Sequence, residues 1–496
     1  MSRNPNKDEE IDRWSAMTSR AGREKAKAAQ AEAEAEAAMR SGLGAGEPET
    51  PQPAIYRRKV SQAEADDMAA LHEAFAQNRI RGQRASFKFC DLSHLDLSGR
   101  TLSAADFTGA KLSGTLLRGC DLQMANFYAA DLSEADLMQA NMTAADMRGT
   151  IMRGAVMIGA NLTSVDFRNG TLAMARNGQL VTVNDQDKTD MSKAVVMRAT
   201  LTKARISDSF IVQTDLRDAD LRGSILIRAD LSGCNLMGCD LTSADLSEAN
   251  LEGANLEGAV LSACILRHAN LSQCNLIGAI LDGVDLSLAN VKDARIVEKL
   301  ADLEATLADI LKQHLAWIDS GGQTGRQADL SGKDLTGADL SKMTLSAALL
   351  RGTVLKDANL SGAALMMADL TSADLRGANL RNANLRGARL VRAMLSGADM
   401  TGVVATTMSI QGHDWRVDME RAKMGKAVMV GVDLSGAKLE GADLRRTQLR
   451  NANFARVDLT DANLEGADMR GVNLTRAKLR GTKGLPEPED DEDDDA

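Results

Sequence analysis

A spacing of five residues decides what this chain can fold into. From Ala130 the sequence reads ADLSE ADLMQ ANMTA ADMRG, and from Ala229 it reads ADLSG CNLMG CDLTS ADLSE ANLEG ANLEG. The Leu is the centre of each unit. A small residue stands two before it, Asp or Asn one before it, and polar residues or Gly follow. A period of five fits neither a helix, with 3.6 residues per turn, nor an alternating strand, with two. It fits a chain that turns a corner every five residues, with the centre and the small residue pointing inward. Four units then close a square coil of 20 residues, and coils stack at about the 4.8 Å strand spacing. One coil buries about four centres, each worth roughly 1.5–3 kcal/mol. Ordering its 20 backbones costs roughly 20–40 kcal/mol. A single coil therefore cannot stand alone, and the array must be long and covered at its ends.

This pattern resembles the pentapeptide-repeat superfamily over most of residues 85–481. The resemblance implies an all-β solenoid, a right-handed quadrilateral β-helix. Centres run from Phe87 to Leu172, from Met191 to Ile296, from Leu330 to Met400 and from Met419 to Leu479, which is 68 units or 17 coils. Stacked end to end, they would make a rod of about 80 Å.

The plan is read twice. A helix is expected before the first run, with Ser61 and Glu64 as a capping box and Met68, Leu71 and Phe75 on one face. A second is expected before the third run, with Leu300, Leu303, Leu307, Ile310, Leu311 and Ile318 as its stripe and Gly321–Gly322 as its stop. Each carries a His followed three residues on by an aromatic, His72/Phe75 and His314/Trp317. Both helices are read as plugs over solenoid ends. Both halves are interrupted between centres 19 residues apart, so each insert is expected to replace one coil. The first insert is read as a hairpin turning at Asn177-Gly178. The resulting domains are a flexible, helical N-terminal extension over 1–60 and a helix cap with its solenoid over 61–297, insert 173–188. A second cap and solenoid follow over 298–481, insert 401–417, then an acidic tail over 482–496 that should be disordered. Residues 21–38, with 9 Ala in 18, form the Ala/Glu-rich helical segment, and 41–55 read as a linker.

The net charge of −10 is unevenly placed. The last ten residues hold 8 acids, residues 1–60 have 11 Lys and Arg against 10 acids, and the body is nearly neutral at −3. Such a body has no basic excess to grip nucleic acid, and direct nucleic-acid binding is not expected. No run of 18 apolar residues offers a membrane span. The opening residues lack the apolar stretch of a signal peptide.

No residue earns a catalytic, cofactor or metal role. All six cysteines, Cys90, Cys120, Cys234, Cys239, Cys264 and Cys274, stand two before a centre, where a small buried side chain is required. They are read as packed, reduced thiols of a cytoplasmic protein. Met142, Met147, Met152 and Met157 are successive centres, read as adaptable core rather than a thioether site. The five His are not at ligand spacing, and no phosphate-binding or nucleophile motif is present.

Three features could bind. Val260, Ile265 and Ile280 put apolar residues in the outward slot, as a patch for a partner. The inserts offer Arg176, Asn177 and Gln179, and His413, Trp415 and Arg416. The acidic tail is the third. The reading is a non-enzymatic, bacterial, cytoplasmic scaffold for protein partners of unknown identity. The unplugged last coil is expected to offer a homodimer surface. The resemblance also implies an alternative, a DNA mimic that binds and protects DNA gyrase or topoisomerase. The near-neutral, interrupted body and the Leu-dominated centres rank it second.

Overall fold

Each five-residue unit bridges in parallel to the unit one coil on. Ser86 pairs with Asp106, Asp91 with Lys111, Asp96 with Leu116 and Thr101 with Asp121, and the step of 20 recurs. One ladder runs from Ser86 to Arg295 and a second from Asp329 to Lys483, each with four columns of bridges. The computed structural model describes residues 57–171, 173–176, 179–182, 188–297, 304–410 and 412–485. Two units contain them, one with Asp309–Gln327 and the other with Tyr56–Ala308 and Ala328–Ala496. Residues 1–56 of the extension expected over 1–60, the Asn177-Gly178 turn and the acidic tail from Pro486 lie outside the described residues.

The corner explains the repeat's grammar. The second residue after nearly every centre is left-handed, as at Glu134 (φ 58°), Gln139 (57°) and Gly154 (67°). The Asp or Asn before the centre holds that corner: the Ser93 N–H donates to Asp91 Oδ1 at 3.0 Å and the Ser93 hydroxyl at 2.6 Å. These carboxylates and amides are therefore structural as well as outward-facing. Asn side chains also ladder between coils, Asn270 Nδ2 donating to Asn250 Oδ1 at 3.0 Å and Asn290 Nδ2 to Asn270 Oδ1 at 2.8 Å.

Inside, the centres and small residues form the core. Phe87, Phe107 and Phe127 share one column and stack at 5.0 and 4.7 Å. The coil of Met142, Met147, Met152 and Met157 is fully buried. Hydroxyls and thiols fit the small slot because they can reach a carbonyl, either of the coil before or, as Thr150 does with Met147 O, three residues back. Thr115 Oγ1 donates to Leu92 O, Cys120 Sγ to Leu97 O and Cys274 Sγ to Leu251 O, at 2.8–2.9 Å. Burial pushes the Cys234, Cys239 and Cys264 thiols up to about 12, which keeps them protonated and unreactive.

Before the first ladder, β1 (Arg58–Lys59) pairs in parallel with β2 (Cys90–Asp91). Helix α1 (Gln62–Ala76) follows, with Ser61 Oγ accepting from the Glu64 N–H as the capping signature predicts. The face turned to the first coil is the expected one only at Met68, which packs against the core. Ala65, Ala69 and His72 are buried, while Leu71 and Phe75 remain 43% and 47% exposed. Small residues let the helix lie close, and His72 satisfies both ring nitrogens. Nδ1 accepts from the Ala85 N–H at 3.0 Å, which leaves Nε2 to donate to Ser103 O at 2.9 Å.

The interruptions also differ from expectation. The ladder steps from Ile151 to Asp190 and from Arg389 to Asp418, 39 and 29 residues in place of 20. The first therefore adds 19 residues and the second 9, and neither replaces a coil. Ala405 hides the difference: it is a fully buried centre, but an Ala in a Leu slot does not show in the pattern. The added residues form the hairpins β3 (Ala173–Arg176) with β4 (Gln179–Thr182) and β5 (Met408–Ile410) with β6 (His413–Trp415).

In the other unit, helix α2 (Glu304–Asp319) ends where the glycines predict. Gly321 and Gly322 are left-handed, and the Gly322 N–H donates to Trp317 O at 2.8 Å. His314 is buried and stacks on Trp317 at 5.7 Å. Leu300 and Leu303 fall outside the described residues.

Candidate functional site

The two ladders lie side by side and antiparallel, corner against corner. In the first, the corner stack is Arg198, Asp218, Gly238, Gly258 and Gly278; in the second it is Gly332, Gly352, Ser372, Arg392 and Arg421. Contacts climb one stack as they descend the other. Gly278 meets Gly352 and Ser372, Gly258 meets Ser372, Gly238 meets Arg392, and Asp218 meets Arg392 and Arg421.

One end of this seam is backbone on backbone. A Cβ on Gly278 would lie 2.5 Å from Ser372 O, and one on Gly352 would lie 2.3 Å from Ile277 Cγ2 and 2.9 Å from Gly278 N. Ile277 seats between Gly332 and Gly352. Two ion pairs flank it, Arg351 to Glu257 at 3.0 Å and Arg376 to Asp282 at 2.7 Å. The other end is ionic. Arg392 grips Asp218 through Nε at 2.5 Å and Nη2 at 3.0 Å, and Arg421 donates to the second carboxylate oxygen. All three side chains are only 12–14% exposed.

Beyond Asp218 a cavity of about 760 Å³ opens between the ladders, lined among others by Arg198, Asp240, Lys423, Glu440, Asp443 and Arg480. Its lining holds seven basic and seven acidic side chains, so its charge is balanced. Burial lowers the affinity of Lys423 for its proton, opposed by Asp240, Asp443 and Asp220. Among the described residues no group of three or more His, Cys, Asp or Glu could hold a metal ion. No described helix is long and apolar enough to cross a membrane.

The sequence-derived residues are elsewhere. Val260 and Ile280 are bridged neighbours in one column, but Ile280 is 7% exposed and Val260 half-buried. That corrects the picture of an exposed three-residue patch: Ile280 follows the Gly278 corner, where the second ladder closes in. Ile265, in a different column, is 49% exposed. Arg176 and Gln179 pair across the β3–β4 hairpin, and Asn177 lies outside the described residues. His413 and Trp415 meet edge to face at 5.1 Å on β6, beside exposed Arg416. Trp415 and Met408 rest on Gly387, a corner away from the seam. The first insert leaves beside Tyr128 and Arg148, on another corner stack. Among the described residues neither insert has a contact with the seam.

The seam residues had a signal that five-residue reading misses. Sampling the corner slot every 20 residues, with the insert allowed for, shows Gly, Gly, Ser, Arg, Arg in one ladder against Gly, Gly, Gly, Asp, Arg in the other, read in opposite directions.

A model of pentapeptide repeats matches residues 83–172, 214–293, 334–404 and 416–483, more than half of the chain. No curated protein matches it. Among solved structures, HetL, a pentapeptide repeat protein involved in heterocyst differentiation regulation from the cyanobacterium Nostoc, is 25% identical, covering 66% of this chain and 94% of its own with a TM-score of 0.24. QnrB1, a plasmid-mediated fluoroquinolone resistance protein, is 18% identical over 47% of this chain and 98% of its own, TM-score 0.27. A pentapeptide repeat protein of the Arabidopsis thaliana thylakoid lumen is 30% identical over 27% of this chain and 79% of its own, TM-score 0.14.

Proposed function

Because the chain belongs to the pentapeptide-repeat family of β-helix solenoids, we propose that it is a non-enzymatic scaffold that holds protein partners on two solenoids locked side by side. The observation that carries this is the seam. Ion pairs between residues 174 and 203 positions apart fix one ladder against the other, which a lone rod would not need. In this reading α1 covers a solenoid end, and the two halves descend from one duplicated unit. The proposed domains are 61–297 and 298–481, with 1–60 and 482–496 as appendages, in a cytoplasmic protein. Partners would touch Ile265, with Val260 and Ile280 on the neighbouring column, and the two hairpins at Arg176, Asn177, Gln179, His413, Trp415 and Arg416. The last coil would serve homodimerisation, since Met469, Leu474 and Leu479 lose the full burial that earlier centres have.

The gyrase reading requires a continuous negative face. Here the outward carboxylates bind corner amides or lie against arginines, as Asp146 with Arg148 and Asp220 with Arg222 do. The test is affinity capture from lysate with the intact chain, one lacking 1–60 and 487–496, and hairpin variants of His413, Trp415 and Arg416. Partners lost on hairpin mutation support the scaffold. Capture of gyrase or topoisomerase subunits by the trimmed body, with protection of supercoiling activity, replaces it with the mimic. A chain that captures nothing reproducibly sinks both.

A further inference from the structure

The final coil breaks the pattern of charge. In the outward slot, most often Asp or Asn although single units elsewhere carry Lys111, Arg205, Arg389, Lys423 or Lys438, its last two units in succession carry Lys478 and Lys483. Residues 466–485 hold Arg470, Arg476, Lys478, Arg480 and Lys483 against a single acid, Asp468, a net of +4. Two of these bases are partnered: Arg470 with Asp468 at 2.7 Å and Lys478 with Asp458 at 2.8 Å. Arg476, Arg480 and Lys483 are exposed, and among the described residues none has a carboxylate within ion-pair distance. They stand on two successive corners and the side after them. Arg456, also exposed, lies one coil before Arg476.

From this coil the chain runs directly into residues 487–495, eight of which are acidic. The departure point is fixed: Lys483 still bridges Asn463, and Gly484 lies against Glu465. The segment 486–495 can extend about 33 Å, against a coil rise of about 4.8 Å. It can therefore reach every base on this coil. We propose that this acidic segment docks on the basic side of the last coil, with Arg476, Arg480 and Lys483 as its main anchors. Tethering gives the segment an effective concentration on the order of millimolar there, so it shields the coil from other acidic polypeptides. Because Arg480 also lines the cavity between the ladders, the docked segment lies at the cavity's mouth. This surface is the outer side of the coil, separate from the apolar end proposed for homodimerisation.

The probe is a fluorescently labelled peptide of residues 486–496. It is titrated into the full chain and into a full-length variant whose eight tail acids are replaced by Asn and Gln, at roughly 20 mM salt, where the Debye length is about 20 Å. The neutral-tail chain should bind at least tenfold more tightly than the natural one. Adding Arg476→Glu, Arg480→Glu and Lys483→Glu to it should abolish the gain, with circular dichroism unchanged. Equal binding by the natural and neutral-tail chains overturns the proposal, as does binding that survives the triple reversal. If instead the natural chain sediments as a dimer that the triple reversal splits, while peptide binding stays equal, the bases serve a second copy and the tail is not their occupant.

Discussion

The two ends of the seam solve one problem by opposite means. At Gly278 and Gly352 the corners carry no side chains, so backbones touch and Ile277 packs against Gly352. Three coils from Gly278, and two and three from Gly352, Asp218, Arg392 and Arg421 occupy the corners, and a shared carboxylate with two guanidinium groups fills the space. Contact at the first end depends on shape. Contact at the second depends on every charge having its partner, since a buried ion left alone costs far more than the pair contributes.

The comparison can be broken most strongly at the ionic end. Asp218→Ala leaves two guanidinium groups facing each other with little solvent and should cost about 3–5 kcal/mol in denaturant unfolding. The double change Asp218→Leu with Arg392→Met should recover the part of that loss due to Arg392, since Arg421 keeps Glu420 at 3.4 Å as its partner. At the glycine end, Gly352→Val combines a left-handed β-branched residue with a clash against Ile277 and should cost about 2–4 kcal/mol. Gly337 is left-handed too, but nothing lies within 4 Å of where its Cβ would be. Gly337→Ala should therefore cost only about 1 kcal/mol, the backbone part alone. A similar loss at both sites would mean the seam does not need close approach.

The pH dependence separates the seam from α1. Burial lowers the His72 pKa below its ordinary 6.5, countered in part by the Ser103 carbonyl. The unfolded chain then binds the extra proton first, so stability is full above about 6.5 and falls with pH below it, by at most about 1.4 kcal/mol per unit. His72→Gln should flatten the profile between pH 5 and 7. The smallest effect is expected from Asp282, which Arg376 holds below the usual carboxylate range. Its contribution is present above about pH 4 and lost as pH falls through the folded value. Because Asp282 is half exposed, Asp282→Asn should cost about 0–1 kcal/mol at neutral pH and nothing once it is protonated.

The sequence made the coil legible because every unit repeats the same local demands. Leu92 or Leu97 must point inward whatever the neighbouring coil contains, and Ser61 caps α1 without help from the solenoid. What escaped was set by partners distant in the chain. The inward face of α1 follows Ala65, Ala69 and His72 because closeness to the first coil outweighs the apolar area of Leu71 and Phe75. The second interruption was overcounted because Ala405 fills a slot where a Leu was sought. The seam was missed because its rule has a stride of 20 and lives in the corner slot, the position that five-residue reading treats as free.

The seam also has a consequence for the order in which the chain assembles. Each coil needs only the residues 20 positions away, so either solenoid can grow by accretion as soon as its own segment exists. Asp218 must instead wait for Arg392 and Arg421, 174 and 203 residues later. At synthesis rates of roughly 5–20 residues per second that is about ten seconds or more, during which the first solenoid shows a naked edge of glycines and an unanswered carboxylate. Assembly thus has a built-in interval. In it a second copy's arginines, or a chaperone, could claim the site meant for the chain's own distant half.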